Sequence, residues 1–274
     1  MNKSSLARKL VVANSRSSLV ASGFVSTHQF RNFSSQCSSN FAEQSTFKKG
    51  VLLVGRPGAG KGTYASRAAE QLNIPHIAAG DIIREEIKNK TKIGLEMQSY
   101  TSKGALVPDE LVIDLLVNKI TQSVAGTGKG FILDGFPRTI TQAIKLDSLS
   151  DKIKLDLVLN LHQDEDIIIA KISNRRVCSN CGQVYNFAHI KRDGLDMPPL
   201  VPKVEGICDG CGAKDSLVQR DDDREEVVRK RLVEYDKLTS PLLEFYQKKS
   251  LLKTFVVNGG AKALMPSFLK MLTE

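Results

Sequence analysis

Val51-Leu52-Leu53-Val54-Gly55-Arg56-Pro57-Gly58-Ala59-Gly60-Lys61-Gly62-Thr63 decides how this chain folds. Four apolar residues run into a glycine-rich turn, and a helical pattern follows from Lys61 to Leu72. The succession is strand, loop, helix. Glycines in such a turn let backbone N–H groups face inward, the helix N-terminus adds positive potential and Lys61 contributes a point charge, so the loop suits phosphate oxygens. The residues around that anion are Gly58, Ala59, Gly60, Lys61, Gly62 and Thr63, with Thr63 able to reach the shell of a magnesium ion. The usual pattern has Ser or Thr directly after the lysine; here Gly62 intervenes. Gly126-Thr127-Gly128-Lys129-Gly130 is also glycine-rich but precedes a strand, so no helix N-terminus faces it and it reads as a turn.

Three more apolar runs lie outward from this stretch: Gly130-Phe131-Ile132-Leu133, Leu155-Asp156-Leu157-Val158-Leu159-Asn160-Leu161 and Thr254-Phe255-Val256-Val257. Helical patterns separate them. Short strands buried on both faces and alternating with helices predict an α/β fold, a parallel sheet with its ligand outside the carboxyl ends of the strands. Asp134 ends one such run, where a carboxylate holds magnesium through water; a plain loop aspartate is the competing reading. Residues 174–223 break the rhythm with prolines, glycines and two Cys-x-x-Cys pairs, and read as an inserted subdomain. The expected organisation is a core over residues 47–173, the insert over 174–223 and the rest of the core over 224–274.

The net charge of +9 is unevenly placed. Residues 1–40 carry Lys3, Arg8, Lys9, Arg16 and Arg31 and no acid, so the folded remainder argues little for an anionic partner. Rich in Ser, with arginines between short apolar clusters, this segment has the composition of an organellar transit peptide. A secretory signal is unfavourable because Asn14, Ser15 and Arg16 interrupt its apolar stretch. The mitochondrion is the favoured destination, since Arg31-Asn32-Phe33-Ser34-Ser35 resembles a presequence processing site; the chloroplast and a merely disordered tail are the alternatives. No run of eighteen apolar residues occurs, so a soluble protein with no membrane partner is expected.

Further segments carry a resemblance. Beside the glycine-rich loop with Pro57 stand Ala79-Gly80-Asp81-Ile82-Ile83-Arg84, Gly104-Ala105-Leu106-Val107-Pro108-Asp109-Glu110, Asp134-Gly135-Phe136-Pro137-Arg138-Thr139, Asn174-Arg175-Arg176-Val177 and Arg229-Lys230-Arg231-Leu232. In that order they resemble the nucleoside monophosphate kinases, and adenylate kinases above all, from about residue 51 to residue 260. The resemblance implies a P-loop NTPase-type parallel sheet flanked by helices, an inserted lid and a small helical acceptor-nucleotide segment at about residues 78–107. It implies magnesium-dependent transfer between ATP and AMP to give two ADP, by a monomer with no nucleic-acid partner. Phosphoryl transfer leaves a protein little to do but position two anions and neutralise developing charge, so arginines are expected and a general base is not.

By the same resemblance Lys61, Arg138, Arg175, Arg220 and Arg231 are the catalytic cations. The donor side adds Lys171, Val184 and Tyr185 to Arg175 and the loop. The acceptor side takes Ala79, Arg84, Ala105, Leu106, Val107, Gly135, Phe136, Pro137, Arg138 and Gln142, with Arg220 and Arg231 between the two nucleotides. Two positions depart from the family. Ala79 stands where a Thr or Ser usually meets the acceptor base, which loosens the preference for AMP. Lys171 replaces an arginine that stacks on the donor adenine, and a lysine has no planar guanidinium, so weaker or less selective donor binding is expected.

Cys178, Cys181, Cys208 and Cys211 have the spacing of a tetrahedral structural zinc site, which does no chemistry itself; two disulfides are the alternative. A zinc-holding lid also occurs in the family that the chain resembles. His76 and His162 have no motif around them and are expected to stay out of the chemistry, while Asp222 or Asp223, following Arg220, is expected to orient the arginine clamp, a solvated acidic face being the alternative. The rival readings are another monophosphate kinase, a GTP-using adenylate kinase, and a zinc-ribbon nucleic-acid binder. A GTPase switch is excluded, because no Asn-Lys-x-Asp loop occurs.

Overall fold

The computed structural model describes residues 47–192 and 194–274, so the leader expected over residues 1–40 lies outside the described residues. The chain runs through β1 (Gly50–Val54), α1 (Lys61–Leu72), β2 (His76–Ala78), α2 (Ala79–Lys88), α3 (Lys92–Thr101), α4 (Asp109–Val124), β3 (Phe131–Asp134), α5 (Ile140–Asp147), β4 (Leu157–His162) and α6 (Glu165–Ser173). Five short strands follow, β5 (Arg175–Cys178), β6 (Val184–Asn186), β7 (Ile190–Arg192), β8 (Leu195–Met197) and β9 (Leu217–Val218). The chain then continues through α7 (Glu225–Glu234), a π-helical turn (Tyr235–Thr239), α8 (Pro241–Lys248), β10 (Leu252–Val256) and α9 (Ala261–Thr273).

The central sheet has the order β10-β4-β1-β3-β2, and every neighbouring pair is parallel. Its form is the parallel, helix-flanked one expected. Alternation along β1 explains the layering: Val51 and Leu53 face a cluster with Tyr64, Phe255 and Phe268, while Leu52 and Val54 face one with Leu116, Leu133 and Leu146. Both faces are covered, so the strand reads as an unbroken apolar run. Helix α1 lays Tyr64, Ala65, Ala68 and Ala69 on the first cluster and ends on Asn73 at φ 51°. The four apolar runs are β1, β3, β4 and β10. The edge strand β2 was not among them, because it has three residues and buries only Ile77.

The insert divides in two. One part is the antiparallel sheet β6-β5-β9, packed on Cys178, Tyr185 and Cys208 with Ala213 and Leu217. The other is the hairpin β7-β8, whose Met197 is buried in the cluster that holds Phe255 and Phe268, with Ile190 and Leu195 beside it. Arg192 extends this attachment to Asp164 and Asp166 at the start of α6. The insert therefore shares the main core at one end and forms its own small core at the other. Among the described residues no helix is long and apolar enough to cross a membrane.

Candidate active site

The turn between β1 and α1 needs its glycines for conformation and for space. Gly58 has φ +87°, and a Cβ there would stand 2.5 Å from Ile172 Cγ1; a Cβ at Gly55, with φ +145°, would stand 2.5 Å from the carbonyl oxygen of Leu161. Lys61 Nζ arches back over the turn and donates to Gly55 O at 2.7 Å and Arg56 O at 3.1 Å. Burial lowers its pKa to about 8, reinforced by Arg138, Arg231 and Arg175, while Asp134 favours the charged form. On the outer side of the turn, Arg56 donates to both carboxylate oxygens of Asp236 and pairs with Glu165 at 3.3 Å. The loop is thus fastened to the start of α6 and to the π-helical turn after α7.

Asp134 sits at the carboxyl end of β3, with Oδ2 3.5 Å from the position of a Cβ on Gly62. Burial opposes its charge, but His76, Lys61 and Arg138 outweigh burial and hold its carboxyl below the ordinary range. His76 belongs to this site although no motif marked it: strand β2 brings its Nε2 to 3.9 Å from Asp134 Oδ2, and that nitrogen is buried without a hydrogen-bond partner among the described residues.

The loop opens into one cleft of about 1910 Å³ that all the site positions read from the sequence line, except Ala59 and the three cysteines Cys178, Cys208 and Cys211. Ala59 turns its side chain into the core, fully buried, and its N–H is taken by Arg56 O at 3.1 Å. Five arginines from separate parts of the chain meet in the cleft. Arg138 donates from Nε to Gly135 O at 2.8 Å, and Arg175 forms a two-pronged pair with Asp223, which is 0% exposed. Arg231 binds Asp222 Oδ2 at 2.8 Å, and Arg84 pairs with Asp81. Arg220 makes no side-chain hydrogen bond or ion pair among the described residues.

Their charges work against one another. Burial and Arg231 bring Arg138 down to about 10, with Asp134 opposing; burial, Arg84 and Arg175 bring Arg220 to about 10. Burial also opposes charge on Arg175, but Asp223 and Asp222 overcome it and hold this guanidinium above its ordinary value. The carboxyl of Asp222, despite burial, is kept low by Arg231, Arg175, Arg220 and Arg84. Lys61 and the five arginines outnumber the carboxylates of Asp81, Asp134, Asp222 and Asp223, so the cleft is built for polyanions. The expectation that Asp222 or Asp223 orients the clamp has its counterpart in both residues: Asp223 aims Arg175 and Asp222 aims Arg231.

On the acceptor side Ala79, Val107 and Phe136 are buried walls beside Ala105, Leu106 and Pro137. Gln142 accepts from Arg138 N at 2.7 Å and donates to Asp109 Oδ1 at 2.6 Å, while Thr139 donates to Asp109 Oδ2 at 2.8 Å. Asp109 therefore sets the angle of the amide and was not singled out from sequence, because nothing local connects it to residues 30 and 33 positions later. On the donor side Gln183, Val184 and Asn186 border the cleft. The Tyr185 ring is 2% exposed, with its hydroxyl 3.5 Å from Cys208 Sγ and accepting from Asp209 N at 2.6 Å. Lys171 Nζ donates to Gln163 Oε1 at 2.8 Å.

At the far end of the insert the Sγ atoms of Cys178, Cys181, Cys208 and Cys211 all lie within 4.8 Å of one another. The pairs Cys178–Cys211 and Cys181–Cys208 stand at 3.7 and 3.5 Å, close to the ~3.8 Å separating thiolates around a tetrahedral ion with ~2.3 Å bonds, and all four cysteines are free of disulfides. Ser216 Oγ at 3.2 Å from Cys178 and Asn180 Nδ2 at 3.3 Å from Cys211 add polar contacts to the sulfurs.

Comparison with known proteins bears on the whole arrangement. The family model for Adenylate kinase matches residues 53–251. An adenylate kinase of Thermosipho africanus is 44% identical over 212 residues, which is 77% of this chain and 92% of that protein. Adenylate kinases of Acetivibrio thermocellus and Methanocella arvoryzae are 46% and 47% identical, over 74% and 73% of this chain and 88% of each relative. With the phosphate-loop fold, the cationic cleft and these matches together, the chain belongs to the adenylate kinase family.

Proposed function

We propose that this chain catalyses the magnesium-dependent, reversible transfer of a phosphoryl group from ATP to AMP, giving two ADP. The observation that carries this reading is the single cleft in which Lys61 of the phosphate loop shares its field with Arg138, Arg175 and Arg231. An oxygen of the monophosphate is already an anionic nucleophile. Its bond to the terminal phosphorus forms as the bond to the bridging oxygen breaks, and the electron pair leaves on the departing diphosphate, so no general base is needed. Arg84 and Arg138 hold the acceptor phosphate, Arg175, Arg220 and Arg231 surround the group in transit, and Lys61 with the loop amides steadies the donor phosphates. Bound magnesium supplies charge neutralisation on the donor phosphates. Asp134, kept ionised by its surroundings, suits a hold on that ion through water. The insert covers the donor side and limits access of water, the competing acceptor.

The same reading gives Cys178, Cys181, Cys208 and Cys211 a structural zinc ion, and places the protein as a monomer in the mitochondrion, with the chloroplast as the alternative. A second reading, another acceptor or a GTP donor, draws on Ala79, which offers no hydroxyl, and on Lys171, which lacks a planar head. Diphosphate formation by the purified chain from ATP or GTP with AMP, GMP, CMP and UMP, together with metal content, tests both. ADP from ATP and AMP with about one zinc per chain is expected. No diphosphate from any pair overturns the activity, and faster turnover with GTP or another acceptor selects the second reading. A reporter fused to residues 1–40 and found outside mitochondria overturns the address.

A further inference from the structure

Gln163, in the turn between β4 and α6, is a buried amide with every function engaged. Its Oε1 accepts from Lys171 Nζ at 2.8 Å; its Nε2 donates to Val257 O at 2.9 Å and points at Met197 Sδ at 3.6 Å. The two anchors of Nε2 come from the loop after β10 and from the β7-β8 hairpin, so the amide cannot rotate without losing both. Lys171 is consequently held with Nζ 3.9 Å from the position of a Cβ on Gly60, the residue that caps the N-terminus of α1. No carboxylate pairs with this ammonium among the described residues, and burial lowers its pKa to about 8. A cation lining the cleft beside a helix N-terminus, with a neutral partner only, lacks the anion that such a place favours.

We propose that Gln163 is a positioning residue of the donor site, which keeps the Lys171 ammonium beside Gly60 so that this lysine binds the donor through its phosphates and does not lie over its base. The inference deepens the phosphotransferase reading and rests on it. A lysine that acts on phosphates contributes equally to every nucleoside triphosphate, whereas one that acts on the base discriminates among them. Gln163 sets the outcome because an ammonium on a flexible stem has many rotamers, and the amide selects one.

The test uses the whole chain and two variants, Gln163→Met, which keeps length and removes the acceptor, and Lys171→Met. Binding of inorganic tripolyphosphate is measured by calorimetry, and KM and kcat are measured with ATP and GTP. For Lys171→Met the expected result is a loss of tripolyphosphate affinity of about tenfold, the scale of one charge-assisted hydrogen bond. Gln163→Met is expected to follow in the same direction, with the KM values for ATP and GTP rising by a common factor and kcat and the acceptor KM unchanged. Unaltered tripolyphosphate affinity in Lys171→Met, or KM changes that differ more than about threefold between ATP and GTP, overturns the inference. A folded Gln163→Met with unaltered tripolyphosphate affinity overturns the positioning role, and if that variant does not fold, Gln163→Asn, which keeps a buried amide but draws its acceptor back from Nζ, is read in the same way. Wild-type protein that binds tripolyphosphate but forms no diphosphate refutes the activity instead.

Discussion

The phosphate loop and the cysteine knuckles are both tight turns that gather polar groups inward, yet they stand on different foundations. Beneath the loop lies β1, buried throughout with Val51 to Val54 at 3% exposure or less, in a five-stranded sheet covered on both faces. Beneath the knuckles lie strands of two to four residues and a cluster of Cys178, Tyr185 and Cys208. Hydrophobic burial on the first scale holds a loop in shape with or without ligand. The second scale is too small to do so, and an ion held by the four sulfurs, as proposed above, would join the chain segments. The hairpin β7-β8 takes a third course, lending Met197 to the larger core.

The sharpest way to break this contrast is Cys178→Ala. Apparent zinc binding in small domains contributes on the order of 10–16 kcal/mol, so under the proposed zinc reading this variant is expected to leave the insert open to proteolysis between the knuckles while the core keeps its melting transition. Limited digestion with calorimetry reads both; simultaneous melting of the core would mean that the two regions are one cooperative unit. Next in size is Asp223→Ala, which removes the fully buried carboxylate and strands the half-buried Arg175, and is expected to cost about 3–5 kcal/mol by denaturant titration. A cost under 1 kcal/mol would place this pair with surface ion pairs.

A pH profile sharpens the comparison on the loop side. Lys61 and Lys171 both titrate at about 8 in the free protein, and the protonated forms are the ones that bind phosphate. As pH rises through that value, kcat/KM for ATP is expected to fall, approaching about tenfold per pH unit for each proton lost. A flat profile to pH 10 would show that neither ammonium matters to the donor. Stability goes the opposite way in this window: the folded lysines bind fewer protons than unfolded ones of pKa about 10.4, so stability is expected to rise between about 8 and 10.4. At the acid end the lowered carboxyls of Asp134 and Asp222 contribute stability that is complete above their unfolded pKa of about 3.9 and is lost as pH falls through their folded values. The smallest effect is expected from Arg192→Ala, whose pairs with Asp164 and Asp166 are exposed: under about 1 kcal/mol, against about 2–5 kcal/mol for Met197→Ala on the same hairpin. Equal costs would mean that the hairpin is held by charge and not by burial.

Several parts of the site were legible because their signals are local. The loop carries its conformational need in its glycines, β1, β3, β4 and β10 announce themselves as apolar runs, and the cysteines have ligand spacing within each pair. Less legible were β2, with one buried residue, and the hairpin, whose short strands have no periodicity to read. His76 looked idle because the partner that gives it meaning, Asp134, is brought to it only by the pairing of β2 with β3.

By itself the order of residues determined the phosphate loop, the alternation of strand and helix, and the supply of arginines and thiols. Those properties follow from neighbours a few positions apart. The tertiary structure alone decided which carboxylate aims which arginine, that Asp109 tilts Gln142, and that Gln163 and Met197 meet over Lys171. Three of these contacts join residues 33, 34 and 48 positions apart. Their strength comes from burial, which one segment cannot create until others have packed against it.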